Sequence, residues 1–283
     1  MYTDHPLDHY SVASRESVEN QIRLAENAGI DGFIVSFSGA GDPDSKCFEH
    51  LLDVSNETGF KIAFMVEGAD FSGLTSGEEV IAAKTESIVN MIRYVLSWYG
   101  KHPGYMLVNG KPLLFLFGSN LTPQEIWKQI LDELQAEGIE ASYWGQGYNA
   151  ANFDLFDGVF EYGAPEDADW SAQYQSIEET LTYRSLLEPD LAKKYWAASV
   201  MPGFDNTPLV TWFKGSWPLG ITPREDGNYY RATLEHAVQS GADWIVITSW
   251  NEYQENTHIE PSENFGDLYL TITAEYVKRW KQP

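Results

Sequence analysis

The segment Ala237-Val-Gln-Ser-Gly-Ala-Asp-Trp-Ile-Val-Ile-Thr248 joins the end of one predicted element to the start of the next. Its first residues continue a helical pattern that begins near Asn228, and Gly241 is typical of a helix C-terminus. The following run, 243–250, is the most apolar in the chain and predicts a strand buried on both faces. Helix, glycine, aspartate and buried strand in this order form the repeating unit of a parallel α/β fold.

The same unit occurs earlier, as Ala25-Glu-Asn-Ala-Gly-Ile-Asp-Gly-Phe-Ile-Val-Ser36. Helical and apolar segments alternate between the two copies, which predicts a continuous βα repeat with no linker between domains. The predicted strands cover residues 31–38, 61–67, 112–117, 141–145, 157–161, 195–201 and 243–250. These are seven strands, whereas a closed barrel of this type has eight.

The residues before Ser14 are too few and too polar for another strand and its loop. We therefore expect residues 1–283 to form a single domain of the α/β class, a (β/α)8-type TIM barrel that lacks its first strand in this chain. An open barrel exposes two strand edges, and exposed edges favour association between chains.

Composition excludes several classes of function. The formal net charge of −24 argues against nucleic acids and anionic membranes as partners, because both require a basic face. No run approaches the roughly 18 apolar residues of a membrane helix, and a single cysteine, Cys47, excludes an internal disulfide framework. The 10 Trp and 16 Tyr residues offer flat rings that pack on sugar C–H faces as well as in a core.

Active sites of parallel barrels lie at the carboxyl ends of the strands. In this chain those ends carry carboxylates, amides and aromatic rings, which are the groups that bind a neutral polyhydroxylated ligand. The residues concerned include Phe37, Glu67, Trp144, Tyr162, Asp205, Trp250 and Asn251. The pattern favours an oligosaccharide or polysaccharide as the substrate.

Two further carboxylates, Glu252 and Glu255, lie three residues apart just after the most apolar strand. Two carboxyls held close together can divide acid and base roles, because burial and mutual repulsion separate their pKa values. Glycosidic cleavage uses such a pair. The same spacing is common on solvated loops, and the chain has 42 acidic residues; the position after the buried strand is what favours a catalytic pair.

The run Thr248-Ser-Trp-Asn-Glu-Tyr-Gln-Glu-Asn-Thr-His-Ile-Glu-Pro261 resembles the signature of glycoside hydrolase family 99. That family contains the endo-α-mannosidases and endo-α-mannanases, and polysaccharide-locus barrel proteins are related to it. Weaker matches in the expected order, such as His5-Pro-Leu7 and Pro202-Gly-Phe-Asp205, extend the resemblance over nearly the whole chain. The run departs from the family at Tyr253, Gln254 and Asn256, where the family has Trp, His and Gly.

This resemblance implies hydrolysis with retention of configuration through a 1,2-anhydro sugar, with no metal or other cofactor. Glu252 would assist the 2-hydroxyl of the substrate, and Glu255 would act first as acid and then as base. Asp205 would either contact the substrate or support the loop. The residues expected to bind the sugar are His5, Phe37, Glu67, Trp144, Tyr162, Asp205, Trp250 and Asn251.

Two alternatives remain open at this point. The Asn251-Glu-Tyr253 form also resembles the fungal α-1,3-glucanases of family 71, which would change the sugar rather than the type of reaction. A non-catalytic carbohydrate-binding barrel would keep the loop and lose turnover together with the first strand. An enzyme requires both Glu252 and Glu255, whereas a binding protein tolerates Glu255→Gln.

Overall fold

The computed structural model describes residues 3–11, 13–39, 45–68, 78–163, 170–187, 193–214 and 218–282. Its strands are β1 (Gly32–Phe37), β2 (Lys61–Val66), β3 (Leu107–Val108), β4 (Lys111–Leu116), β5 (Ser142–Gln146), β6 (Gly158–Phe160), β7 (Tyr195–Val200), β8 (Phe204–Asp205), β9 (Ile221–Thr222) and β10 (Trp244–Ile247). Its α-helices are α1 (Arg15–Asn27), α2 (Ser45–Thr58), α3 (Glu78–Trp98), α4 (Gln124–Ala136), α5 (Ala150–Leu155), α6 (Trp170–Leu187), α7 (Thr207–Trp212), α8 (Asn228–Gln239) and α9 (Leu268–Trp280).

The main sheet is parallel and follows chain order, β1-β2-β4-β5-β6-β7-β10. Parallel neighbours in chain order, joined by helical crossovers, are the arrangement of a βα barrel, so the predicted α/β barrel architecture is confirmed. Two short hairpins, β3 with β4 and β8 with β9, were not predicted. Strands of two residues are too short to leave a periodic pattern in a sequence.

Side chains of the sheet alternate between the barrel interior and the helix layer. In β2, Ala63 and Met65 belong to the interior cluster, whereas Phe64 and Val66 pack outward with residues of α2 and α3. Phe37 pairs in register with Val66 and points outward with it. This alternation decides which residues at the strand ends can reach the mouth of the barrel.

The two edge strands, β1 and β10, face each other across a gap. Within the described residues they do not pair with each other, and most of their residues are only half-buried, in contrast to those of β2. Phe33 and Trp250 approach across the gap to 5.0 Å between ring centroids. Two cavities of about 440 Å³ each lie along it, and both are lined by Ile34 and Val246. The seven-strand sheet is therefore open on one side.

In the part of the chain that the structure describes, none of the helices combines the length and the apolar composition that a membrane span requires.

Gly158 in β6 leaves space for an interior tryptophan. A Cβ atom at this position would lie 2.5 Å from Cε2 of Trp144, which is fully buried. We therefore expect Gly158→Ala to lower the free energy of unfolding by about 1–3 kcal/mol, the usual cost of overpacking a core. Urea denaturation measures this change. Trp144→Phe should weaken the effect, so the double variant should be less destabilised than the sum of the singles; strict additivity would contradict the steric explanation.

Candidate active site

The site is built on the loop that follows β10. The backbone N–H of Ser249 donates to the carbonyl of Thr257 at 2.8 Å, and the N–H of Ile259 donates to the carbonyl of Ser249 at 3.0 Å. The hydroxyls of Ser249 and Thr257 also lie 2.8 Å apart. The Thr248–Ser249 peptide bond is cis. These bonds close the loop at its base and leave Glu252 and Glu255 at its turn.

Glu255 is held in an environment that favours its neutral form. Burial above all, together with the charges of Glu252 and Glu67, raises the pKa of its carboxyl to about 7, although a hydrogen bond from Tyr162 lowers it. The Tyr162 hydroxyl donates to Oε2 of Glu255 at 3.4 Å. A carboxyl that is half-protonated near neutral pH can give and take a proton, as a general acid–base requires.

Glu252 has a different environment although it lies on the same turn. Its Oε1 accepts from the backbone N–H of Gln254 at 3.2 Å, which stabilises the charged form. Burial and the charge of Glu67 nevertheless raise the pKa of its carboxyl above the ordinary value. Of the two carboxyls, Glu255 has the pKa raised to about 7, so Glu252 is the one suited to act as the ionised base.

The raised pKa of Glu255 predicts a pH-dependent stability effect. A carboxyl whose pKa is raised on folding destabilises the native state above its folded pKa of about 7 and not below its unfolded value near 4.5. We expect Glu255→Gln to raise the free energy of unfolding by about 1–2 kcal/mol at pH 8, after allowance for partial solvent exposure. Denaturant titrations at pH 8 and pH 4.5 measure it. The gain should vanish at pH 4.5, and an equal gain at both values would contradict the electrostatic cause.

A cavity of about 440 Å³ adjoins this loop and collects the polar groups of several strand ends. Its lining includes Tyr10, Glu161, Tyr162, Trp250, Asn251 and Glu252. Four of these, Tyr162, Trp250, Asn251 and Glu252, were predicted as site residues. Glu67 also belongs to the group, because its charge acts on the carboxyls of Glu252 and Glu255. The open gap between β1 and β10 is continuous with this cavity, which is also lined by Ile34 and Val246.

Two of the predicted sugar-binding residues do not lie in this site. Trp144 points into the barrel two residues before the end of β5, and it packs against Tyr195 and Trp244 at the first residues of β7 and β10. Its side chain is fully buried near the opposite end of the barrel. Phe37 is 1% exposed and stacks on Tyr94 of α3, outside the sheet. Both predictions relied on position at a strand end and took no account of the direction or depth of the side chain.

Asp205 and His5, which were also predicted to bind the sugar, lie on segments that contact the loop. Asp205 donates from its backbone N–H to the carbonyl of Glu255 at 2.8 Å, and its own carbonyl accepts from the Asn256 amide at 2.8 Å. This arrangement supports the loop, one of the two roles predicted for Asp205. His5 is exposed, and its carbonyl accepts from the N–H of Glu263 at 2.8 Å. His5 is not part of the cavity lining.

The departure from the family signature at Asn256 has a simple backbone reason. Asn256 has a φ of +51°, in the left-handed region that glycine adopts freely. Asparagine is the other residue that commonly adopts this conformation. The substitution therefore preserves the turn between Glu255 and Thr257, and its amide adds the hydrogen bond to Asp205.

A buried pair joins the N-terminal segment to the loop. His258 and Asp4 are 0% and 1% exposed at their side chains, and Nε2 of His258 lies 2.9 Å from Oδ2 of Asp4. Burial, aided by the nearby charge of Arg224, lowers the pKa of His258 to about 4. The imidazole is therefore neutral at neutral pH and packs the loop against the N-terminal segment.

The residues expected to bind the sugar do not include Tyr10, Gln21 and Glu161, all of which line the cavity. Nε2 of Gln146 donates to Glu161 at 3.1 Å, and burial raises the pKa of the Glu161 carboxyl. Gln21 lies on α1 and accepts from Nε1 of Trp250 at 2.5 Å. The available signal was a Gln placed directly before the buried Ile22, on the helix that precedes β1.

Within the described residues, no group of three or more His, Cys, Asp or Glu side chains is arranged to hold a metal ion.

Known proteins resemble this chain over nearly its full length. The glycoprotein endo-alpha-1,2-mannosidase-like protein of Danio rerio is 24% identical over 98% of this chain and 65% of its own length. The glycoprotein endo-alpha-1,2-mannosidase of Rattus norvegicus is 21% identical over 98% of this chain and 62% of its own length. The chain thus spans a little under two thirds of the length of these curated relatives.

Solved structures share the fold. The GH99 endo-alpha-mannosidase from Bacteroides thetaiotaomicron superposes with a TM-score of 0.79 at 24% identity, covering 99% of this chain and 84% of that one. The model of the family described as Glycosyl hydrolase family 99 matches residues 2–279. That match includes the loop with Glu252 and Glu255 and all the described strands. The chain therefore belongs to glycosyl hydrolase family 99.

Proposed function

We propose that this chain is a retaining endo-α-mannosidase that cleaves α-mannosides through a 1,2-anhydro sugar, with Glu252 and Glu255 as its catalytic residues. The observation that carries the proposal is the pair itself: two carboxyls on one turn, one of which has a pKa raised to about 7 by burial and by its neighbours. The names of the relatives, a glycoprotein endo-alpha-1,2-mannosidase and a glycoprotein endo-alpha-1,2-mannosidase-like protein, support the choice of sugar.

In the first step, ionised Glu252 takes the proton of the sugar 2-hydroxyl as that oxygen attacks C1. Protonated Glu255 gives its proton to the departing glycosidic oxygen, so the bond from C1 to that oxygen breaks as the bond from C1 to O2 forms. In the second step, Glu255 takes a proton from water, whose oxygen attacks C1 and opens the anhydro ring, and Glu252 returns a proton to O2. Two inversions at C1 give net retention.

Stereochemistry favours mannose over glucose for this mechanism. In an α-mannoside the 2-hydroxyl and the leaving group are axial on opposite faces, so O2 can attack C1 from behind. In an α-glucoside the 2-hydroxyl lies on the same side as the leaving group and cannot make that attack. Since intramolecular attack depends on alignment, the mechanism argues against the α-1,3-glucanase alternative.

Sugar release from a panel of α-mannans and α-glucans, by the native chain and by Glu255→Gln, tests the proposal. We expect release from α-mannans by the native chain alone, with the α-anomer as the first product seen by NMR. Release from α-glucans instead, or a β-anomer as first product, would overturn it. Binding of a glycan by both proteins without release by either would support the non-catalytic alternative, for which the open gap beside the cavity is the favouring observation.

We also propose that residues 1–283 act as one domain and that the open edges of β1 and β10 promote self-association. Unpaired strand edges offer free N–H and C=O groups to another chain. The charge of −24 opposes close approach of two copies, so association should strengthen as salt screens that repulsion. Sedimentation velocity at several protein and salt concentrations measures this, and a monomer under all conditions would contradict it.

A further inference from the structure

Glu260 is a buried carboxyl that the proposed mechanism does not use. Glu260 is 2% exposed and lies at the end of the loop that carries Glu252 and Glu255. Burial raises the pKa of its carboxyl and hydrogen bonds from Tyr10 and Gln21 lower it, with a net value of about 7. Both donors are uncharged side chains. Burying a carboxyl among neutral partners costs free energy, so packing alone does not account for a glutamate at this position.

The Tyr10 hydroxyl connects Glu260 to the active site. It donates to Oε1 of Glu260 at 3.0 Å and accepts from Nδ2 of Asn251 at 3.0 Å. Tyr10 and Asn251 both line the cavity that contains Glu252, and Asn251 directly precedes Glu252 in the chain. One hydroxyl therefore joins a buried carboxyl to an exposed amide at the site.

The direction of these bonds determines how the Asn251 amide faces the cavity. When Glu260 is ionised it can only accept, so Tyr10 uses its single proton toward Glu260 and can only accept from Asn251. The nitrogen of the Asn251 amide is thereby engaged, whereas its Oδ1 has no protein donor among the described residues. The amide is thus set to present its oxygen, an acceptor for a sugar hydroxyl.

Glu260 also supports Trp250, which lies two residues before Glu252. Gln21 bonds to Glu260, and its Oε1 accepts from Nε1 of Trp250. Glu260 thus lies behind both Trp250 and Asn251. Its own backbone N–H donates to the carbonyl of Trp250 at 3.0 Å, which fixes the distance between the two parts of the loop.

We propose that Glu260 is a positioning residue for substrate binding: acting through the Tyr10 hydroxyl, it orients the Asn251 amide so that its oxygen accepts a hydroxyl of the bound sugar. The inference rests on the proposed function for the identity of the sugar. It concerns binding more than chemistry, since Asn251 is not one of the proton-transferring groups. Loss of the relay should therefore affect KM more than kcat.

The test uses Tyr10→Phe, Glu260→Gln, their double variant and Asn251→Ala, all in the full chain with an α-1,2-linked mannooligosaccharide. We expect KM to rise about 5- to 10-fold in each single variant, the usual effect of one lost hydrogen bond to a ligand, with kcat changed by less than about 3-fold. The double variant should be no worse than the worse single variant, because both changes break the same relay. Tyr229→Phe, on α8, is the matched control and should leave KM unchanged.

Tyr10→Phe keeps the proposal testable if Glu260→Gln folds poorly, because Tyr10 is only half-buried. Unchanged KM in Tyr10→Phe would overturn the proposal, as would additive effects in the double variant. A Glu260→Gln variant that loses melting temperature and kcat together while Tyr10→Phe behaves as native would assign Glu260 a purely structural role and also overturn it. If the native chain binds the oligosaccharide without cleaving it, the proposed function fails, and the same comparison of Kd values still tests the relay.

Discussion

Replacing Glu255 by Gln should lower kcat on an α-mannoside with an ordinary sugar leaving group by about 10³-fold, the usual contribution of a positioned general acid. The departing oxygen of a sugar is a poor leaving group until it is protonated. Glu255 has a pKa raised to about 7, so a substantial fraction carries a proton at neutral pH. The Gln amide fills nearly the same space and forms similar hydrogen bonds, but it cannot give up a proton.

The leaving group distinguishes loss of the acid from loss of the fold. With an aryl or fluoride α-mannoside, whose leaving group needs no proton, Glu255→Gln should recover most of the rate of the first step. The native chain should lose kcat/KM above pH 7, where Glu255 becomes ionised, and this alkaline decline should disappear in the variant. Equal losses on both classes of substrate would contradict the role of acid.

Glu263→Gln provides a matched control for this substitution. Glu263 lies on the same loop, and its side chain is exposed. Its backbone N–H, which the substitution leaves in place, donates to the carbonyl of His5. The chemical change is identical, one carboxylate replaced by one amide. Activity and its pH dependence should remain those of the native chain.

The barrel itself could be predicted from the sequence because its signal is repeated. Most βα units contribute an apolar run and a helix ended by glycine. The predicted strand bounds differ from the observed ones by up to three residues, which does not alter the order of the strands. The Glu252–Glu255 turn was also accessible, since it directly follows the most apolar strand. In both cases the decisive information is local in sequence.

The direction of side chains and their partners far away in the sequence could not be predicted in the same way. Trp144 and Phe37 were assigned to the site by position, but a strand alternates its faces at every residue, so a shift of one residue moves a side chain to the other face. The link from Gln21 to Trp250 spans 229 residues, and that from Tyr10 to Glu260 spans 250. Only the assembled barrel brings those pairs together.

Replacing Glu252 by Gln should abolish turnover more completely than replacing Glu255. We expect kcat to fall by at least about 10³-fold, because the internal nucleophile loses the base that removes its proton. An activated leaving group should give no recovery, since the missing step is the formation of the bond from O2 to C1. The Gln amide cannot accept that proton, although it can still accept the N–H of Gln254.

A substrate change gives an independent measure of the same step. A 2-deoxy-α-mannoside lacks the nucleophile, so the native chain should bind it but cleave it at less than about 10⁻³ of the normal rate. At the acid end, kcat/KM of the native chain should fall as Glu252 becomes protonated, at a pH above the ordinary carboxyl value because burial and Glu67 raise its pKa. Rapid cleavage of the 2-deoxy sugar would show that the enzyme forms its intermediate without O2. In that case a carboxylate itself would be the nucleophile, and Glu252 would be the residue to trap as a glycosyl ester.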